Sequence, residues 1–317
     1  MRRLVLDEAL RAALKARITP AHLRLRLGIE SDYETRVFGR GRNLIHIENW
    51  YSVHGLIRHV LRALLLHARG RANTLRLHVR HNTLAVPRLP AAFDAFRILQ
   101  ISDLHLDMNA AFPRVLGACI RDLDYDLCVL TGDFRYRTFG PYDAALEGMR
   151  RLRVNLKGPV YGILGNHDSI RMIPALEAMD IRMLLNESVR LERSGAELHL
   201  AGIDDPHYYQ ADNLEKASHA IPEDAASILL SHSPEIYRHA AHAGFGAMLC
   251  GHTHGGQIRL PGGIPITCNA RCPRRLCAGP WRFQDMAGYT SVGAGSSIVD
   301  VRLNCPPEVT IHCLRPA

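Results

Sequence analysis

From Phe96 to Cys250 the chain alternates two hydrophobic patterns. Short apolar runs, FRILQI, DLCVLT, PVYGIL, ASILLS and GAMLC, are separated by stretches such as FPRVLGACIRDL, YDAALEGMRRLRV and PEIYRHAAHA, where apolar residues recur every three or four positions. The short runs predict buried strands and the periodic stretches predict helices. Their alternation predicts an α/β fold with helices over the sheet faces. MLLNESVRLERSGAELHLAGI, between the third and fourth runs, reads as a hairpin, and TLRLHVRHNTLAVP as two short strands joined by a polar turn at His81 and Asn82.

Before this alternation lies one strongly amphipathic segment. Between Trp50 and Ala68, Val53, Leu56, Ile57, Val60, Leu61, Leu64 and Leu65 fall at helical spacing, with Arg58, Arg62 and Arg69 on the opposite face. Such a helix can pack on its own domain or lie on an anionic membrane surface, and the pattern leaves both readings open. Charge sharpens the contrast: residues 1–90 hold 17 Arg and Lys against 6 Asp and Glu, and the remainder 22 against 25. The overall charge of +8 therefore originates in the N-terminal part, where it suits an anionic partner or plain solvent exposure. No apolar run reaches the length of a membrane span, and MRRLVLDEALRAALKAR lacks the uninterrupted apolar core of a secretory signal. The expectation is a cytoplasmic protein, with peripheral attachment to the inner face of the membrane through residues 50–69 as the finer reading.

Eight cysteines in 317 residues are too few for a disulfide scaffold, and most lie singly in apolar runs such as GACI and LCVL. Cys268, Cys272 and Cys277 are closer together, but their spacing matches no standard zinc pattern and Arg271, Arg274 and Arg275 add positive charge beside them.

The chemistry sits where the apolar runs stop. They end at Ser102-Asp103-Leu104-His105, Gly132-Asp133, Gly165-Asn166-His167-Asp168, Ser231-His232 and Gly251-His252-Thr253-His254. Ligands of an open α/β sheet bind beyond the carboxyl ends of its strands, so five polar clusters converge on one crevice. Each alone reads as a turn or a helix cap. Together they gather carboxylate, imidazole and carboxamide ligands suited to Mn, Fe or Zn, too many for one tetrahedral ion and about right for two.

The blocks ISDLHLD, TGDF, GNHD, SHSP and GHTHGGQ, in this order, resemble those of the calcineurin-like metallophosphoesterases, and the closing VRLNCPPEVTIHCL resembles the last strand of the bacterial phosphodiesterase branch with GHTHGGQ. The resemblance covers residues 73–317 and leaves 1–72 as a basic, partly helical extension. It implies a two-sheet α/β sandwich with a dinuclear centre at the strand ends. Asp103, His105 and His254 would hold one ion, Asn166, His232 and His252 the other, and Asp133 would bridge them. His167, oriented by Asp168, would face the leaving oxygen. Two ions about 3.5 to 4 Å apart acidify a water and clamp the nonbridging phosphate oxygens. Manganese is favoured.

Arg135, Arg137 and Arg171, just past the second and third blocks, are candidates for binding a further phosphate. The expected function is metal-dependent hydrolysis of a phosphodiester or pyrophosphate bond, in a lipid-linked substrate such as UDP-2,3-diacylglucosamine. A nucleotide or nucleic-acid phosphodiesterase is the alternative, although the chain is poor in aromatic residues and shows no stacking motif. A non-catalytic scaffold on the same fold would be expected to have lost ligands, and here the set is complete.

Overall fold

The computed structural model describes residue 8 and residues 10–38 and 51–317, the side chains of 33–38 and 51–53 excepted. Its centre is two six-stranded sheets. The first runs β1 (His78–Val86), β12 (Glu308–Pro316), β2 (Arg97–Ile101), β3 (Leu127–Thr131), β4 (Val160–Ile163) and β5 (Ile181–Met183). The second runs β10 (Gly279–Phe283), β11 (Met286–Thr290), β9 (Ala247–Cys250), β8 (Ser227–Leu230), β7 (Ala196–Gly202) and β6 (Glu187–Arg193). β2 to β5 are parallel to one another, as are β7, β8 and β9.

The apolar runs lack polar alternation because both faces are covered. Ile98, Leu127 and Val129 of the first sheet meet Leu200, Ile228, Leu230 and Leu249 of the second in the layer between the sheets. Their neighbours Leu99, Ile101, Cys128 and Leu130 face outward, under the helices Phe112–Ile120 and Asp143–Arg153. β6 and β7 form the expected hairpin, paired from Glu187↔Gly202 to Arg193↔Ala196.

Two expectations change. TLRLHVRHNTLAVP makes one strand rather than two: pairing with β12 runs unbroken from His78↔Glu308 to Val86↔Pro316. His81 and Asn82 do not turn the chain because the ladder continues through them, and Asn82 Nδ2 reaches His312 Nδ1 at 3.0 Å. The amphipathic helix is α2 (Tyr51–Ala63), and it does not run on to Ala68. Leu65 takes a left-handed backbone (φ 56°), and a second short helix, α3 (His67–Asn73), follows. Trp50 and the Val53 side chain lie outside the described residues.

The N-terminal extension packs against the sandwich. Position 72 falls just before the first sheet begins, yet packing crosses it. Leu10, Leu14 and Ile18, with Leu23 and Leu27 of α1 (Pro20–Phe38), belong to the same core as Leu99 and Leu130. Leu61 of α2 packs with Val299, Val301 and Leu303. Burying each such side chain stabilises by roughly 1.5–3 kcal/mol, so residues 10–27 and α2 are secured to the sandwich.

Candidate metal centre

Each ligand candidate sits on the loop just past a strand. Asp103 and His105 follow β2, Asp133 follows β3, Asn166 and His167 follow β4, His232 follows β8, and His252 and His254 follow β9. β2, β3 and β4 are neighbours in one sheet and β8 and β9 in the other, so the sandwich brings the five loops to one edge. All seven proposed ligands are buried, none more than 7% exposed.

The loops are held in unusual backbone conformations. Asp103, His105, Asp133, His252 and His254 all have positive φ, between 41° and 69°. Such geometry costs a non-glycine residue about 1–3 kcal/mol and persists only when its surroundings enforce it. Close approach sets the adjacent glycines: a Cβ at Gly251 would overlap Ser102 Oγ and the Asp103 carboxylate, and one at Gly165 would overlap Asp133. The backbone N–H of His252 donates to both Asp103 carboxylate oxygens at 3.1 Å, tying the first block to the last.

Two groups of ligand atoms form, Asp103, His105 and His254 in one and Asp133, His232 and His252 in the other, the atoms of each lying within 4.8 Å of one another. Asp133 Oδ2 stands 3.3 Å from His232 Nε2 and 3.7 Å from His105 Nε2, between the groups. Asn166 Oδ1 completes the second, 2.9 Å from His232 Nε2 and 2.8 Å from His252 Nδ1. Among the described residues Cys268, Cys272 and Cys277 form no third group, and all eight thiols are free.

The donor set fits cations. His105 and His232 donate Nδ1–H to the carbonyls of Arg135 and Thr131, both at 2.8 Å, which turns their Nε2 atoms inward. His232 Nε2 then faces Asn166 Oδ1 and Asp133 Oδ2, an encounter of lone pairs that needs a positive charge between them. Burial alone would lower the His232 pKa, but Asp133, Asp103 and Asp205 outweigh it and raise it to about 10, so without metal a proton fills this need. Burial likewise opposes ionisation of Asp133, yet His232, His167 and His105 hold its carboxyl well below the usual range. Among the described residues, buried Asn166 Nδ2 has no hydrogen-bond partner.

His167 lies beside the ligands without joining either group. Its backbone N–H donates to Asp133 Oδ1 at 2.9 Å, its Nδ1 bonds the Tyr136 carbonyl, and its Nε2 is 3.9 Å from Asp133 Oδ2. The expectation that Asp168 orients this imidazole is corrected. The Asp168 carboxylate is consumed by backbone N–H groups, those of Asp133 and Phe134 at 2.8 Å and of Gly165 at 2.9 Å, so it fixes the second block to the third. The orienting group is Tyr136 O, which no motif marks.

Two of the arginines are also corrected. Arg135 is buried, and its guanidinium donates to the carbonyls of His167, Gly140 and Thr138. Arg171 pairs with Glu30 at 2.8 Å. Both forks are engaged inside the protein, leaving exposed Arg137 as the remaining phosphate candidate. Sequence reasoning also passed over Arg302 and His207. Buried Arg302 donates to the Val292 carbonyl at 2.8 Å and approaches His254 Nδ1 at 3.3 Å, and the His207 ring lies 4.1 Å from that of His252. Gln257, the last residue of GHTHGGQ, donates to Ser297 O at 2.7 Å and Val299 O at 2.9 Å and so secures the loop facing the centre.

A cleft of about 730 Å³ opens above these residues. Asp133, His167, His252 and His254 line it on one side, and Leu56, Ile57, Val60 and Leu64 of α2 and its end, with Leu260 and Ile266, on the other. The apolar stripe of the N-terminal helix thus forms a wall of the cleft.

A buried double cluster of imidazole, carboxylate and carboxamide, spread over strand ends of an α/β sandwich, is what a metal-dependent phosphoric ester hydrolase requires. Comparison with known proteins gives the family. The profile of the calcineurin-like phosphoesterases matches residues 96–256, half of the chain, and the chain belongs to that family. It is 30% identical over 258 residues to the uncharacterized metallophosphoesterase YkoQ of Bacillus subtilis, covering 76% of this chain and 93% of the relative. It is 27% identical over 232 residues to the phosphodiesterase YaeI of Escherichia coli, covering 68% and 81%. It is 26% identical over 250 residues to the UDP-2,3-diacylglucosamine pyrophosphatase LpxG of Chlamydia trachomatis, covering 58% and 73%. The family depends on a dinuclear metal centre, and both ligand groups are present here. Among the described residues no helix is long and apolar enough to cross a membrane.

Proposed function

We propose that the protein cleaves a phosphodiester or pyrophosphate bond in a lipid-linked substrate, working in the cytoplasm at the inner face of the membrane. One observation carries this reading: the cleft joins a cation-binding floor to a wall of aliphatic side chains. A phosphate group suits the floor and an acyl chain suits the wall. The substrate by which LpxG is named, UDP-2,3-diacylglucosamine, has both parts and is the specific compound proposed.

In this reading Asp103, His105 and His254 hold one divalent ion, Asn166, His232 and His252 hold the other, and Asp133 serves both. When bound, the ions supply charge neutralisation at the phosphate and acidify a water. Imidazole suits Zn and Fe, and the carboxylate and carboxamide oxygens tilt the preference toward Mn. His167 Nε2, its ring fixed through Nδ1 on Tyr136 O, is placed to donate to the leaving oxygen. Exposed Leu65, with Arg62 and Arg69, would meet the membrane surface.

The test is a substrate panel with metal-stripped protein to which Mn²⁺, Zn²⁺ or Fe²⁺ is returned. Hydrolysis of the UDP-linked diacyl sugar should exceed that of nucleotide pyrophosphates and short phosphodiesters. Faster turnover of nucleotides or oligonucleotides would establish the alternative phosphodiesterase, and metal binding without hydrolysis of any ester would leave a scaffold. Sedimentation with anionic vesicles at low and high salt tests the membrane contact separately. Protein that stays in the supernatant at low salt removes it.

A further inference from the structure

We infer that Arg26 and Glu30, on α1 and outside the 96–256 family match, are positioning residues for the hydrolytic centre, holding the loop that presents Asn166 and His167. The inference rests on the phosphoesterase reading of that centre. α1 lays two charged side chains against residues 168–171. Arg26 is fully buried, and its Nη2 donates to the Asp168 carbonyl at 2.9 Å. Glu30 is 5% exposed. One of its oxygens accepts from the Ile170 N–H at 2.8 Å, and the other accepts from Ser169 Oγ at 2.6 Å and from Arg171 Nη1 at 2.8 Å. Four successive residues, directly after the Asn166-His167 pair, are therefore gripped by one helix face.

The loop is held from both sides. The Asp168 side chain anchors it to the turn of Asp133, while the backbone of the same residue is anchored to Arg26. Arg26 is fixed in turn: its guanidinium lies 3.3 Å from the Tyr209 ring centroid and its Nε is 3.5 Å from Asp204 Oδ2. Asp204 is further bonded to His22 Nε2 at 2.8 Å. Burial disfavours the Asp204 carboxylate, but Arg26 and His22 outweigh it and keep its pKa below the ordinary value.

Stability alone is a poor reason for this arrangement. Removing an arginine and two carboxylates from water costs energy that their pairing only partly returns, and apolar side chains would join the helix to the core more cheaply, as Leu23 and Leu27 already do. What the charged residues add is direction. They bond specific backbone and side-chain atoms of one loop, in the way that outer groups orient metal ligands.

The experiment uses the full chain, stripped of metal, as wild type, Glu30→Gln, Arg26→Met and Arg26→Lys. Mn²⁺ binding is followed by titration calorimetry and turnover with bis(p-nitrophenyl) phosphate at saturating Mn²⁺, alongside thermal melting. Glu30→Gln should lose about 10- to 100-fold in kcat or in affinity for one of the two Mn²⁺ ions, with KM little changed. Arg26→Lys, which keeps a charge and a donor, should recover part of what Arg26→Met loses. If kcat and both affinities stay within about twofold of wild type while only the melting temperature falls, the residues are structural and the inference is overturned. Should Glu30→Gln fail to fold, Ser169→Ala removes a single bond of the grip; it should lower the same quantities several-fold, and unchanged values overturn the inference equally. A wild type that neither binds Mn²⁺ nor cleaves the diester overturns the phosphoesterase reading itself, and the positioning role with it.

Discussion

The two sides of the cleft are built by opposite rules. On the metal side every side chain is buried, five ligands sit on strained left-handed backbone, and second groups fix several of the donors. On the apolar side Leu56 is 63% exposed, Val60 48%, Leu64 60%, Leu260 50% and Ile266 58%. The first side has its geometry enforced before anything binds, as catalysis by charge placement requires. The second consists of aliphatic surface, which gains free energy whenever an apolar occupant covers it, at about 25 cal/mol per Å². Rigidity thus belongs to the candidate metal side, and tolerance to the aliphatic side.

That contrast predicts unequal responses to substitution. Asp133→Asn should be the most damaging, because the amide neutralises neither ion; metal content and activity should fall by more than the about 100-fold typical of outer-group losses. Elemental analysis beside an activity assay decides it, and two full equivalents of metal with near wild-type turnover would remove Asp133 from the centre. His167→Ala comes next, with metal retained and turnover reduced by about 100- to 10,000-fold, the usual range for a lost general acid. An alkyl leaving group should suffer more than p-nitrophenolate, which departs without a proton. Equal losses would restrict His167 to binding.

The apolar wall should respond selectively. Leu56→Ser with Val60→Ser should lower kcat/KM for a diacyl substrate by roughly tenfold, each half-exposed side chain contributing under about 1 kcal/mol of added burial. The same variant should leave bis(p-nitrophenyl) phosphate hydrolysis unchanged. Equal losses on both substrates would erase the distinction between the two sides. Arg137→Ala should have the smallest effect, about twofold or less, as expected of an exposed charge. A larger rise in KM for a pyrophosphate than for a simple diester would instead make Arg137 a second phosphate contact and extend the ordered side outward.

Much of the fold was legible in the chain because strands covered on both faces must be continuously apolar, and the parallel order places their polar ends together. The candidate metal cluster was legible for the same reason: Asp103, His105, Asp133, Asn166, His232 and the two histidines of GHTH stand just past those runs, and their joint recurrence at five strand ends, rather than any one of them, marked the site. Side-chain engagement was not legible. Arg135 and Arg171 carry the same guanidinium as Arg137, and only packing turns the first onto the backbone and the second onto Glu30. Asp168 is acidic beside a histidine in sequence, yet its carboxylate accepts from four backbone N–H groups rather than from the ring because loop curvature points it toward Asp133.

By itself, then, the order of residues determined the alternation of strands and helices, the cluster of candidate metal ligands at the strand ends and the amphipathic character of α2. Tertiary structure alone decided which way that stripe faces. Helical periodicity specifies that one face is apolar, whereas its partner depends on segments more than 200 positions away, and here Val299, Val301 and Leu303 hold Leu61 so that Leu56, Val60 and Leu64 turn into the cleft. The grip of Arg26 and Glu30 on residues 168–171 belongs to the same class. Long-range pairing is set by how the whole chain closes on itself, a property no local window of sequence contains.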